Sequence, residues 1–386
     1  MTGQGPTQAH SERFATMGPM IRNFACRGGH RLLLVCALML PFADAIAETT
    51  RIGFIGLRHG HSWRQLQDIS GITEAEFVGV AESIPELVKA AKEVQPDAYY
   101  ASDYRNFVKE RQPEIVWAFV ENNRHLEIVE FLAPLGVHVI FEKPLAGSYR
   151  DAVRIQEIAR KHGIKVMTNY QMAWLPSNQA MRRLASEGKV GRIWRLHGVV
   201  GNGGPSPRNA TSKVFFDWLT DPDANGGGAL VDFGIYNAIW AVWHLGLPER
   251  VYASIHQLQP ERFPKVDDNA VLVLSYPNHV GVFEASWNLP RGFRQLEIFG
   301  DQGSLFVTRD QVAFGDGRKA PVPMELSQPD AAASNPVRYM IDRVSRDKPL
   351  EHIVALDINV DAVQILEAAK VSAKAGREVP LPLPRP

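Results

Sequence analysis

Apolar residues in the first half of the chain fall in short unbroken runs, separated by amphipathic stretches of roughly ten residues. Arg51-Ile52-Gly53-Phe54-Ile55-Gly56-Leu57, Glu76-Phe77-Val78-Gly79-Val80-Ala81-Glu82 and Ile115-Val116-Trp117-Ala118-Phe119 each read as a buried strand. Val137-His138-Val139-Ile140-Phe141 and Ile164-Lys165-Val166-Met167 read the same way. Between them, Ser83 and Glu86 with Pro85 predict a capping box opening a helix over 87–94. A second helix is expected over 126–135. Ser148 with Asp151 caps a third, which ends near His162-Gly163. Strand and helix in alternation predict βαβ units, an α/β class and a doubly wound parallel sheet with right-handed crossovers.

From Gly191 the period changes. A strand over 193–200 precedes a Gly/Pro-rich loop, and after a helix come strands over 251–257, 269–276, 280–287, 294–299 and 304–307. The short links Pro277-Asn278 and Asp301-Gln302-Gly303 favour hairpins, hence a mainly antiparallel sheet in a C-terminal α+β domain. Helices are expected over 337–346 and Leu356–Ala375, the latter stopped by Gly376. The division expected is 1–47 leader, 48–170 dinucleotide-binding domain and 171–386 substrate domain, with the last helix free to pack back on the first domain.

Composition narrows the function classes. Lys+Arg and Asp+Glu both number 42, so no basic surface suggests a nucleic-acid partner. Arg22, Arg27 and Arg31 precede the run Leu32-Leu33-Leu34-Val35-Cys36-Ala37-Leu38-Met39-Leu40, and Ala45-Ile46-Ala47 has the small-x-small pattern. The run is too short to cross a hydrocarbon layer of ~30 Å as a helix. The expectation is a Sec-type signal cleaved before Glu48, an exported periplasmic or secreted protein, and no stable membrane anchor; an uncleaved anchor is the competing reading. Both cysteines, Cys26 and Cys36, fall in this leader. The expected mature chain therefore has no disulfide, thiolate nucleophile or cysteine-ligated zinc.

Candidate chemistry gathers at strand ends, where open parallel sheets bind ligands. Glu142-Lys143-Pro144 closes the fourth run and puts Lys143 at that edge. The first strand enters Gly56-Leu57-Arg58-His59-Gly60-His61, where a dinucleotide diphosphate would sit on a helix N-terminus. Gly56 fills the first position of G-x-G-x-x-G, Arg58 stands at the second, His61 at the third, and Gly60 comes one residue early. Arg58 therefore either displaces the cofactor or supplies it a cation. Glu82 is placed to accept from a ribose and to repel a 2′-phosphate, favouring NAD over NADP; its other reading is an acid at a helix start. His59 and His61 at i, i+2, with no carboxylate or cysteine beside them in sequence, read as loop residues, so no metal is expected. Three glycines, Gly226 to Gly228, precede a helical stretch and permit close approach to a ligand. Asp232 and Tyr236 are four apart and share its face. The phenol becomes a base near neutrality if an ammonium lies close; the alternative is a buried tyrosine bonded to an aspartate.

These residues together resemble the Gfo/Idh/MocA family of oxidoreductases over essentially the whole expected mature chain. The resemblance rests on Glu142-Lys143-Pro144, on the triple glycine leading to Asp232-x-Gly234-x-Tyr236, and on Leu296-Glu297-Ile298-Phe299-Gly300-x-x-Gly303-Ser304. It implies an N-terminal Rossmann domain, a C-terminal domain built on a largely antiparallel sheet, and hydride transfer between NAD or NADP and a sugar, cyclitol or polyol. By the same resemblance Lys143 contacts the reacting hydroxyl, Asp232 holds the substrate, Asn122 and His125 border the nicotinamide ribose, and Glu142 lies at the cofactor. Tyr236 stands where most members have His, as in the branch similar to glucose-fructose oxidoreductase and dihydrodiol dehydrogenase, which includes exported members. Glu121 replaces a proline usual before Asn122. Two other functions share the fold: a redox-assisted glycosidase that recycles its cofactor, and an exported sugar-binding protein without turnover. By the same resemblance, the sheet of the second domain is expected to offer a surface for a homo-oligomer.

Overall fold

Six parallel strands form the first sheet: β1 (Thr50–Ile55), β2 (Ala75–Ala81), β3 (Tyr100–Ala101), β4 (Ile115–Ala118), β5 (His138–Glu142) and β6 (Val166–Asn169). Their spatial order is β3-β2-β1-β4-β5-β6. Every residue of β4 and β6 is buried, as befits strands covered on both faces by helices. The computed structural model describes residues 49–386 apart from Gln328; the expected leader and both cysteines lie outside the described residues.

The connecting helices are α1 (Ser62–Asp68), α2 (Pro85–Val94), α3 (Tyr104–Arg111), α4 (His125–Leu132) and α5 (Tyr149–His162). Ser148 caps α5 by accepting the Asp151 N–H, and Gly163 closes it at φ +68°. The expected capping box at α2 is absent. Ile84 is its N-cap without a side-chain bond, because the Ser83 hydroxyl accepts from Arg58 instead (3.1 Å). The strand order reverses between β1 and β4, so a crevice opens at the carboxyl ends of these two strands.

The second sheet has nine strands: β7 (Ile193–Gly201), β8 (Arg250–His256), β9 (Asn269–Ser275), β10 (Val280–Ser286), β11 (Phe293–Gly300), β12 (Gly303–Val307), β13 (Val312–Gly315), β14 (Val322–Pro323) and β15 (Val379–Pro380). Both predicted hairpins, β9–β10 and β11–β12, are antiparallel pairs. One junction departs from that rule: β7 and β10 run parallel. The remaining helices are α6 (Pro176–Ser186), α7 (Ala210–Leu219), α8 (Pro222–Asn225), α9 (Ala229–Asp232), α10 (Gly234–Leu245), α11 (Pro336–Ser345) and α12 (Leu356–Ala375). Helix α12 packs on α5 of the first half and on α10 and β8 of the second. Two of its polar residues reach the first half: Asn359 accepts from the Tyr170 hydroxyl (2.8 Å) and Asp357 from Gln156 (2.7 Å).

The triple glycine serves the chain itself. A Cβ on Gly226 would stand 2.3 Å from the Gly147 carbonyl oxygen, and one on Gly228 only 1.8 Å from that of Asp267. The close approach expected toward a ligand is therefore made to backbone. The Asp267 carboxylate then accepts the N–H groups of Gly228 (2.8 Å) and Leu230 (2.7 Å), satisfying the start of α9. Gly228→Ala must separate two backbone segments, and is expected to lower unfolding stability by about 3 kcal/mol or more in denaturant titration.

Candidate active site

Gly56 turns the chain out of β1 at φ +77°, a conformation that favours glycine. A Cβ there would meet Val120 at 2.7 Å, so the turn is tight against the end of β4. Beyond it, the N–H groups of Arg58 and His59 both reach the Phe119 carbonyl (3.0 and 3.2 Å). Glu82, at the end of β2, is buried and accepts from Leu57 N–H and Ile84 N–H, each at 2.8 Å. The Arg58 guanidinium spans the crevice, 2.5 Å from Glu121 Oε1 and 3.8 Å from Glu82 Oε1. Arg58, Glu82 and Glu121 thus form one cluster over the ends of β1, β2 and β4.

Three buried atoms around this crevice make no hydrogen bond among the described residues: Arg58 Nε, which lies 3.8 Å from Glu82, Glu121 Oε2, which lies 3.5 Å from Arg124, and His125 Nε2. Buried polar atoms are almost always bonded. Several unpaired ones at a strand-order reversal fit a polar ligand of the dinucleotide class. The guanidinium hydrogen-bonds Glu121 and Ser83 through its two terminal nitrogens, which leaves the Nε–H as the donor free to meet a phosphate. Gly60 is not demanded by space, its Cβ position having nothing nearer than Phe215 at 3.7 Å.

At the next strand end the two halves of the chain meet. Lys143 is 5% exposed, with Nζ 2.5 Å from Asp232 Oδ1 and 3.0 Å from the Asp232 carbonyl. Trp287 donates to the other carboxylate oxygen (2.9 Å). Lys143 Nζ also lies 5.4 Å from the centre of the Tyr236 ring, and Arg294 Cζ 4.6 Å from it. Tyr170 meets that ring edge-on at 5.6 Å. Burial pulls the Lys143 pKa down. The Asp232 carboxylate, Tyr236 and Glu142 outweigh it and hold the ammonium above its ordinary value. Lys143, Asp232, Tyr236, Arg294, His59 and His61 line one cavity of about 200 Å³, sized for a small ligand. Asp232 and Tyr236 reach it from different helices, since Phe233 (φ −110°) separates α9 from α10. The expected single helix face is not the cause of their convergence.

Of the other expected residues, Asn122 is spent on the second half, donating to Asn225 O (3.1 Å) and Asn225 Oδ1 (2.6 Å). His125 stacks on Phe141 at 4.1 Å and its Nδ1 donates to Leu145 O (3.0 Å). Burial lowers its pKa to about 4 against the opposing pull of that carbonyl. Burial first, then repulsion by His61, Lys143 and His125, push the His59 pKa well below the usual imidazole range. Glu142 accepts from Asn169 (2.8 Å) and faces His61 Nδ1 at 2.8 Å. Sequence reading had not assigned roles to Asn169, Trp287 or Arg294. Each comes from a strand end or flank distant in the chain, and no local motif marks it.

Residues 51–170 match the oxidoreductase family with an NAD-binding Rossmann fold, and residues 178–306 match the GFO/IDH/MocA C-terminal domain. The NADP-dependent D-xylose 1-dehydrogenase of Haloarcula marismortui is 26% identical over 202 residues, 50% of this chain and 53% of that one. The chain thus aligns with about half the length of that relative. Levoglucosan dehydrogenase of Pseudarthrobacter phenanthrenivorans is 26% identical over 61% of this chain and 67% of its own. The fold is that of the aldose-aldose oxidoreductase of Caulobacter crescentus, whose crystal structure with glycerol superposes at a TM-score of 0.75, with 21% identity, over 86% of this chain and all of the other. With a matching nucleotide-binding half and a matching C-terminal half, the chain belongs to the Gfo/Idh/MocA family of NAD(P)-dependent oxidoreductases.

Proposed function

We propose that this protein transfers a hydride between a nicotinamide dinucleotide and a hydroxyl-bearing carbon of a carbohydrate or polyol. The observation that carries this reading is the meeting of Lys143, Asp232 and Tyr236 in one cavity at the carboxyl edge of the Rossmann sheet. Gly56, Arg58 and Glu82 would hold the adenosine and diphosphate side, with Asn122 and His125 toward the nicotinamide ribose. Glu82 disfavours a 2′-phosphate and so favours NAD. Bound there, the cofactor supplies a hydride acceptor or donor.

The chain's own residues handle the proton and the orientation. Asp232 fixes the ammonium through two contacts, so Lys143 keeps its charge and presents its remaining hydrogen to the reacting oxygen. Tyr236 takes the proton in the oxidation direction and returns it in reduction. Arg294 stacks its guanidinium over the phenol ring, 4.6 Å from the centroid, and adds a second positive charge near Tyr236. D-xylose and levoglucosan dehydrogenases among the relatives support the substrate class. The leader reading places the reaction outside the cytoplasm. The outer face of the second sheet, with Tyr252 and Val271 exposed, is the surface offered for self-association.

Tyr236→Phe is expected to lower kcat by roughly 10²–10⁴-fold while leaving NADH affinity, measured by protein fluorescence, unchanged. Unchanged turnover in that variant would remove the acid–base assignment.

A further inference from the structure

We propose that His59, His61 and Glu142 form a binding site for a divalent transition-metal ion, open toward the substrate cavity. The loop after β1 and the end of β5 are more than eighty positions apart in the chain, |i−j| being 81 for His61 and Glu142. The fold nevertheless brings one ligating atom from each of the three residues within 4.8 Å of one another. Two imidazoles and one carboxylate suit Mn(II), Fe(II), Co(II), Ni(II) or Zn(II) better than Mg(II) or Ca(II), which take oxygen donors.

One edge of the coordination shell is already at length. His61 Nδ1 and Glu142 Oε2 are 2.8 Å apart. Two donors at right angles around an ion with bonds of ~2.1 Å stand about 3.0 Å from each other. The ion takes the place of the hydrogen these two atoms share. His59 is the third donor. Its Nδ1 now accepts the His61 N–H at 3.1 Å, and coordination exchanges that bond for one to the ion.

The support around the donors is that of a built site. Asn169 donates to Glu142 Oε1 (2.8 Å) and is itself held by Trp174 Nε1 through its own oxygen (2.8 Å). The His59 ring packs against Phe215 (5.0 Å) and Trp218 (5.9 Å), which also touch each other (5.4 Å). The Lys143 ammonium on the same cavity is paired with Asp232. With the protein's donors on one side, the ion's free positions face the cavity shared with Lys143, Asp232 and Tyr236. Adjacent oxygens of a carbohydrate or polyol would occupy them, which fixes the substrate relative to the lysine. This last point rests on the proposed substrate class; the metal site itself does not.

The test is titration of untagged, nucleotide-free full-length protein with Mn(II) or Zn(II) alone, followed by calorimetry, and pulsed EPR of the Cu(II)-loaded protein. The expected result is one ion per chain with nitrogen couplings from two imidazoles. His61→Gln and Glu142→Gln should each weaken affinity at least about 30-fold, and Asn169→Ala by about 10-fold. Tyr236→Phe should bind metal as the parent does while losing turnover, so failure of the metal site and failure of the hydride reading give different results. No bound ion at millimolar metal, no imidazole coupling, or parental affinity in His61→Gln and Glu142→Gln would overturn the proposal. The EPR measurement needs no variant to fold.

Discussion

Replacing Lys143 by Met lowers kcat/KM by roughly 10³-fold or more, and it also destabilises the protein. Both effects follow from one contact. In the proposed reaction the ammonium would meet the reacting oxygen, and charge-assisted contacts of this kind are worth several kcal/mol in a buried site. The same ammonium is the partner of Asp232, which is 8% exposed and whose only other side-chain hydrogen-bond partner among the described residues is Trp287. Removing one member of a buried pair leaves an uncompensated charge and costs about 3–5 kcal/mol. Lys143→Met combined with Asp232→Asn is therefore expected to regain most of the lost stability in denaturant unfolding while staying inactive. A double variant as unstable as the single one would mean that Lys143 acts through packing, not through its charge.

The second large effect is acid lability. His125 is fully buried, with a pKa lowered to about 4 by burial, and His244 falls to about 3 by burial with help from the Arg182 charge. Both are depressed histidines, so the unfolded chain, titrating near 6.5, binds more protons than the folded one in this window. Stability therefore rises with pH between about 4 and 6.5, and is lost as pH falls through that range. For His125 the difference of about 2.5 pH units corresponds to ~3 kcal/mol. Neither ring nitrogen of His244 has a hydrogen-bond partner among the described residues. An apolar ring of similar shape removes that burden, so His244→Phe is expected to match or exceed the parent in stability at pH 7 and to flatten its fall toward pH 4. Thermal midpoints of the two proteins from pH 4 to 8 decide it. Parallel curves would contradict the assignment.

Much of the first half is legible in sequence because its information is local. Strands covered on both faces are continuous apolar runs, and β4, β5 and β6 fall where Ile115, Val139 and Val166 place them. The stop at Gly376 is likewise local, a glycine at φ +64° closing α12. Lys143, Asp232 and Tyr236 were identifiable from short motifs, and the cavity contains all three. What was not legible depends on partners far along the chain. Ser83 has the sequence of a cap but spends its hydroxyl on Arg58. The triple glycine has the sequence of a ligand loop but is packed on Gly147 and Asp267. His59 and His61 lacked a carboxylate in sequence, and Glu142 becomes their neighbour only when β5 is laid two strands away from β1. The parallel β7–β10 pairing is of the same kind, since adjacent hairpins give no sign of it.

The most direct measurement of the hydride account follows deuterium. The full-length protein is incubated with NADH deuterated at the transferable C4 position and a panel of aldoses, ketoses and lactones, and the products are weighed by mass spectrometry. The account predicts one alcohol product carrying one deuterium, formed by the parent and not by Lys143→Met or Tyr236→Phe. Nucleotide bound without any deuterium transfer, or transfer that persists in both variants, would contradict it.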